Sequence, residues 1–119
     1  MRFSPRQRLR RTAEFQAVRA EGRRIDCGTF LFTFLPRTGD SPVRRLGVIA
    51  SRRVGNAVVR NQGKRRLREV FRLHQSELPS HCDVVMIVRR SLRNESFART
   101  ETRFLKACQR IANSREASR

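Results

Sequence analysis

Between Ser51 and Arg72 the chain carries eight Arg or Lys against one acid, Glu69. Arg60, Lys64, Arg68 and Arg72 recur every four residues, and Asn61 and Arg65 flank that row. On a helix such spacing gathers the cations on one side. Like charges one turn apart weaken an isolated helix by roughly a few tenths of a kcal/mol each. The chemistry they suit is phosphate binding, because a guanidinium offers a rigid fork of donors and also stacks on bases. A charge run is ordinarily a solvated face, but here the acids that would pair with it one turn away are missing. Arg52 and Arg53 precede the row, and Gly55-Asn56 suits a tight turn with Asn56 as N-cap. Unpaired amides at a helix start beside two arginines also suit a phosphate.

The rest of the chain supports a polyanionic partner. Its 119 residues fit one domain, with 1–11 and 114–119 read as flexible tails. Lys plus Arg is 28 and Asp plus Glu is 10, a net charge of +18. A folded domain with that excess calls for a polyanion, and Arg outnumbering Lys favours nucleic acid over an anionic membrane. No apolar run approaches the roughly eighteen residues of a membrane helix. The opening "MRFSPRQRLRR" has no apolar secretory core, so a cytoplasmic protein is expected. Cys27, Cys82 and Cys108 are scattered and read as reduced thiols rather than zinc ligands. The acids show no paired carboxylates, and nothing in the sequence brings His74 and His81 together as an acid–base pair. No catalytic residue and no protein-held metal are therefore expected.

These residues must be positioned by local structure. The pattern predicts a first helix from Thr12 to Gly22, with Phe15 and Val18 on one face. Phe30, Phe32 and Phe34 alternate as in a strand and read as core. "RTGDSP" is a turn, and Val43 to Ser51 reads as a second strand, antiparallel to the first. The basic helix spans about 57 to 76, with Val59, Gly63, Leu67, Val70, Phe71 and His74 on its buried arc. Gly63 costs about 1 kcal/mol relative to Ala in a helix interior, so a close approach of sheet or RNA backbone is expected there. "DVVMIVRR" reads as a strand buried on both faces. A closing helix from Ser96 to Asn113 follows. The order αββαβα, with a parallel pair in a βαβ unit, implies an α+β sandwich of the split-βαβ kind.

"VGNAVVRNQGKRRLREVF" resembles the signature of the bacterial ribonuclease P protein subunit. The resemblance extends to "LRRTAEFQAVRAEGRR", "LGVIASRRVGNAVVRN" and "DVVMIVRR", and so over essentially the whole chain. It implies an α-β sandwich with a left-handed crossover, where general topology favours the right-handed form in about 98% of cases. It implies a monomeric protein in one-to-one complex with the catalytic RNA of ribonuclease P. The RNA-facing residues would be Arg52, Arg53, Asn56, Arg60, Asn61, Lys64, Arg65 and Arg68. Gln62 stands where the family has a further base, and Gly63 where it has an apolar residue.

The same resemblance implies a cleft between the first helix and the sheet for the 5′ leader of precursor tRNA. Phe15 matches an aromatic of that cleft, Arg19 replaces a second one, and Thr33 or a neighbouring Phe occupies a third position. A purely structural reading of Phe15, as a residue packing the helix on the sheet, stays open. The RNA subunit with its magnesium ions would cleave the phosphodiester, giving the mature tRNA 5′ end. A stand-alone RNA binder and a protein-only nuclease using His74 or His81 are the competing readings.

Overall fold

The computed structural model describes residues 4–39 and 42–117, with side chains through 114. Seven elements follow in order: α1 (Thr12–Glu21), β1 (Arg23–Asp26), β2 (Phe30–Pro36), β3 (Arg44–Ile49), α2 (Ala57–His74), β4 (Cys82–Val88) and α3 (Phe97–Ala117). The strands form one sheet in the order β1-β2-β4-β3. β3 and β4 are parallel direct neighbours joined through α2, whereas β2 pairs antiparallel with β1 and β4.

Pleating sends alternate side chains to opposite faces of this sheet. Phe30, Phe32, Phe34, Leu46, Val84, Met86 and Val88 point to one face. There they pack with Leu67, Val70 and Phe71 of α2 and with Phe104, Ala107, Cys108 and Ile111 of α3. Phe32 and Phe104 meet edge to face with ring centroids 5.8 Å apart. The other face carries a smaller cluster of Leu9, Val18 and Val85, joined by Phe15, Leu35, Ile49 and Ile87. The domain is thus three layers, with α1 on one side of the sheet and α2 with α3 on the other.

Four sequence expectations change. β1 was not foreseen, so the order is αβββαβα. It is short, and Ile25 is its one buried residue. β2 and the strand after the turn run antiparallel but do not pair, because β4 inserts between them and satisfies both. Asp40 and Ser41 of the turn lie outside the described residues. The start of the chain, expected to be loose, is tied down from Ser4 onward. Leu9 N–H donates to Leu46 O at 3.0 Å, and the Gln7 amide donates to Gln75 Oε1 at 2.5 Å and Arg44 O at 3.1 Å. Both glutamines are buried, and the segment covers the outer edge of β3. Finally, α3 runs past Asn113 to Ala117 instead of ending in a tail at 114, and begins with Ser96 Oγ accepting from Arg99 N–H at 3.2 Å.

Two ionic hubs fix the layers. Arg45 of β3 donates Nε and Nη2 to the two oxygens of buried Asp83, both at 2.8 Å, and Nη1 to Glu14 of α1 at 2.6 Å. Glu14 also accepts from the Arg10 and Arg11 N–H groups, and those backbone bonds hold its pKa below the usual value. On the other face, Glu95 accepts from Thr29 Oγ1 at 2.7 Å, Thr100 Oγ1 at 3.0 Å and the Arg103 guanidinium.

Candidate nucleic-acid interface

α2 starts where Asn56 Oδ1 accepts from Val59 N–H at 3.0 Å, so the N-cap is made as its sequence suggests. This occupies the Asn56 oxygen, and the residue is exposed. Leu67, Val70 and Phe71 are fully buried, which fixes the rotation of the helix. Gly63 sits on the same side. A Cβ there would lie 2.9 Å from Val88 Cγ1 and 3.7 Å from Leu92 Cδ2. The helix approaches the end of β4 so closely that only glycine fits without movement, and sheet packing explains this residue.

That rotation sorts the basic residues. Asn61 and Arg65 are exposed, and Arg60, Lys64 and Arg68 are half-buried beside them. Among the described residues none of the four cations has an acidic partner. Arg68 lies near Arg8 and Arg65, and burial together with those two charges lowers its pKa. Because Arg8 belongs to the segment along the outer edge of β3, this places the row at that edge of the molecule. Arg72, the fourth member by spacing, is instead held by Glu69 at 2.6 Å. Arg66 turns the other way and donates to the carbonyls of Leu92 and Glu95. Arg52 and Arg53 are exposed on a short turn, Arg52–Val54, leading into α2.

The second surface lies on the opposite face. A hollow of about 410 Å³ between α1 and the sheet is lined by Gln16, Arg19, Ala20, Arg24, Thr33 and Ile87. Arg19 and Thr33 therefore come together, but Thr33 is 4% exposed and its methyl lies under Gly22. Phe15 is half-buried and does not line this hollow. Its ring lies directly over Gly47 of β3, in the space a Cβ would occupy, and packs in the cluster that includes Ile87. The packing reading of Phe15 thus holds for the edge of the ring over Gly47, and Ile87, which packs on the same cluster, also lines the hollow. Arg24 and Gln16 were not singled out from sequence. Arg24 escaped notice because β1 carries no alternation long enough to read.

The two histidines have separate partners. His74 bonds Glu101 of α3 through Nε2 at 2.7 Å, so it bridges two helices rather than simply packing. His81 lies against Gly39. Cys27, Cys82 and Cys108 are buried, Cys82 Sγ donating to Pro79 O at 3.4 Å, and burial pushes the Cys27 thiol pKa up to about 11 and that of Cys108 to about 12. No helix among the described residues is long and apolar enough to cross a membrane.

The comparisons agree with this geometry. The Ribonuclease P family model matches residues 3–112. A "Ribonuclease P protein component" of Desulfovibrio desulfuricans is 41% identical over 111 residues, which cover 91% of this chain and 85% of that protein. The solved ribonuclease P protein of Thermotoga maritima superimposes with a TM-score of 0.74 at 29% identity, covering 87% of this chain and 96% of that one. That of Staphylococcus aureus gives 0.74 at 27% identity, covering 89% and 94%. Match length, element order and the basic row on α2 converge: this chain belongs to the ribonuclease P protein family.

Proposed function

We propose that this protein binds the catalytic RNA of ribonuclease P through α2 and the 5′ leader of precursor tRNA through the α1 hollow, promoting leader removal in the cytoplasm. The main support is the set Arg60, Lys64, Arg65 and Arg68, held by a buried helix face and lacking acidic partners among the described residues. Phosphates of an RNA relieve the repulsion that this row carries in the isolated protein. Arg52, Arg53, Asn61 and the Asn56 amide extend the same surface toward the helix start, and Gln62 can donate to a phosphate oxygen without charge. In the hollow, Arg19 and Arg24 supply charge and Ile87 an apolar floor, while half-buried Phe15 nearby would stack a leader base with its accessible part.

Cleavage is assigned to the RNA subunit with magnesium. Among the described residues no three His, Cys, Asp or Glu side chains gather as metal ligands. The protein acts by binding, orienting the leader and screening phosphate repulsion, as one copy per RNA. Adding the protein to the catalytic RNA and precursor tRNA at low magnesium should raise cleavage. Tight RNA binding without any gain in cleavage would mark a stand-alone RNA binder and overturn this reading.

A further inference from the structure

α3 carries a second basic row that the α2 stripe does not include. Arg99, Arg103, Lys106 and Arg110 are spaced four, three and four apart and therefore share one side of the helix. That side borders β1, the sheet edge opposite β3. A groove of about 440 Å³ runs between them, lined by Asp26, Gly28, Arg103, Lys106 and Arg110 among others. Arg23 of β1 closes it by donating to Arg110 O at 3.3 Å.

The acids beside this groove are already committed. Asp26 pairs with Arg89 at 2.7 Å, and Glu95 holds Arg103. Lys106, Arg110 and Arg23 are exposed and have no acidic partner among the described residues. Successive residues of a strand face opposite ways, so Arg24 lines the α1 hollow while Arg23 turns to the α3 groove. Basic side chains thus wrap both faces of the β1 edge, leading from the hollow to the groove.

We propose that the β1–α3 groove binds phosphates of the distal part of a long 5′ leader, after that strand has left the α1 hollow and crossed β1. This rests on the leader reading of the hollow and extends it to a second, sequence-independent contact. The opposite edge, with the α2 row, is left for the catalytic RNA.

The test uses holoenzyme reconstituted with wild-type protein or Lys106→Gln/Arg110→Gln, and precursors with leaders of about four and about sixteen nucleotides, the span of small single-strand sites. Wild type should bind the long-leader precursor more tightly than the short one, and the variant should lose that gain. Its log–log salt slope should be shallower by about 1.4 for the long leader, two cations at about 0.7 each, and unchanged for the short one. Urea midpoints of the two proteins should coincide, since neither side chain is an internal partner. Wild-type-like long-leader binding by the variant overturns the proposal, as does a wild type indifferent to leader length. Equal loss with both leaders, or weaker binding of the catalytic RNA alone, also overturns it by assigning the groove to that RNA. Failure of the underlying leader reading shows separately, as a wild type that does not prefer the short-leader precursor over mature tRNA.

Discussion

Gly63 of α2 lies against Val88 of β4, so that a Cβ added at Gly63 would fall 2.9 Å from a valine methyl, inside contact distance. Two effects oppose each other at this position. Gly63→Ala gains about 1 kcal/mol of helix propensity. It also overpacks a stiff, buried β-branched residue, at about 1–3 kcal/mol. Overpacking should win by about 1 kcal/mol, read as a lower urea midpoint. Val88→Ala in the same chain should restore part of the loss, because the pair is coupled. A Gly63→Ala protein more stable than wild type would show that helix and strand can separate at no cost.

Phe15 and Gly47 form a comparable pair on the other face. Gly47→Ala should displace the ring and cost about 2 kcal/mol, while adding Phe15→Ala should cost less than the sum of the two single changes. Phe15→Ala alone should leave a folded domain, destabilised by about 2 kcal/mol because the ring is only half-buried. It should also weaken binding of precursor relative to mature tRNA. Unchanged discrimination in a folded variant would confine Phe15 to packing.

Arg68 should trade stability for binding. Burial and the nearby Arg8 and Arg65 disfavour its charge in the isolated protein. Arg68→Gln should therefore stabilise that protein by up to about 0.5 kcal/mol. It should also weaken catalytic-RNA binding and reduce the log–log salt slope by about 0.9. Arg65→Ala, at an exposed position, should change the slope similarly with no effect on stability. Melting curves and filter binding at several salt concentrations would separate the two.

Acid should loosen the α3 side through Glu95. Burial pushes this carboxyl up, but donation from Arg103, Thr29 and Thr100 outweighs it and holds the group below its ordinary 4.5. A lowered folded pKa means stability present above that ordinary value and lost as pH falls through the lowered one. Urea midpoints should drop between about pH 5 and pH 3. Glu95→Gln should cost about 2 kcal/mol at neutral pH, by removing the charged acceptor of Arg103, Thr29 and Thr100, and flatten that drop. An equally steep acid limb in the variant would place the titration elsewhere.

α2 was readable because one residue series encodes both of its surfaces: Leu67, Val70 and Phe71 set the rotation, and rotation sets where Arg60, Lys64, Arg65 and Arg68 emerge. Phe30, Phe32 and Phe34 were readable for the same reason at a period of two. β1 was not, since a four-residue strand with one buried side chain leaves no period to detect. Its absence hid Arg24 in the hollow and Arg23 beside α3. The Gln7–Gln75 contact spans 68 positions and joins two polar side chains, a pairing that local pattern does not announce. Gly63 was visible as an anomaly, but whether sheet or RNA backbone came close required coordinates.

The insertion of β4 between β2 and β3 has a consequence for how the chain is made. The strand at the centre of the sheet leaves the ribosome after its neighbours on both sides. A nascent chain stopped before Cys82 would hold β1 and β2 as a lone hairpin, with β3 lacking any strand to pair with. Isolated hairpins are marginal in water. Vectorial synthesis should thus keep this arginine-rich polypeptide uncollapsed until its last third emerges, and a stalled-chain protease assay should show protection of β2 and β3 arriving together with β4.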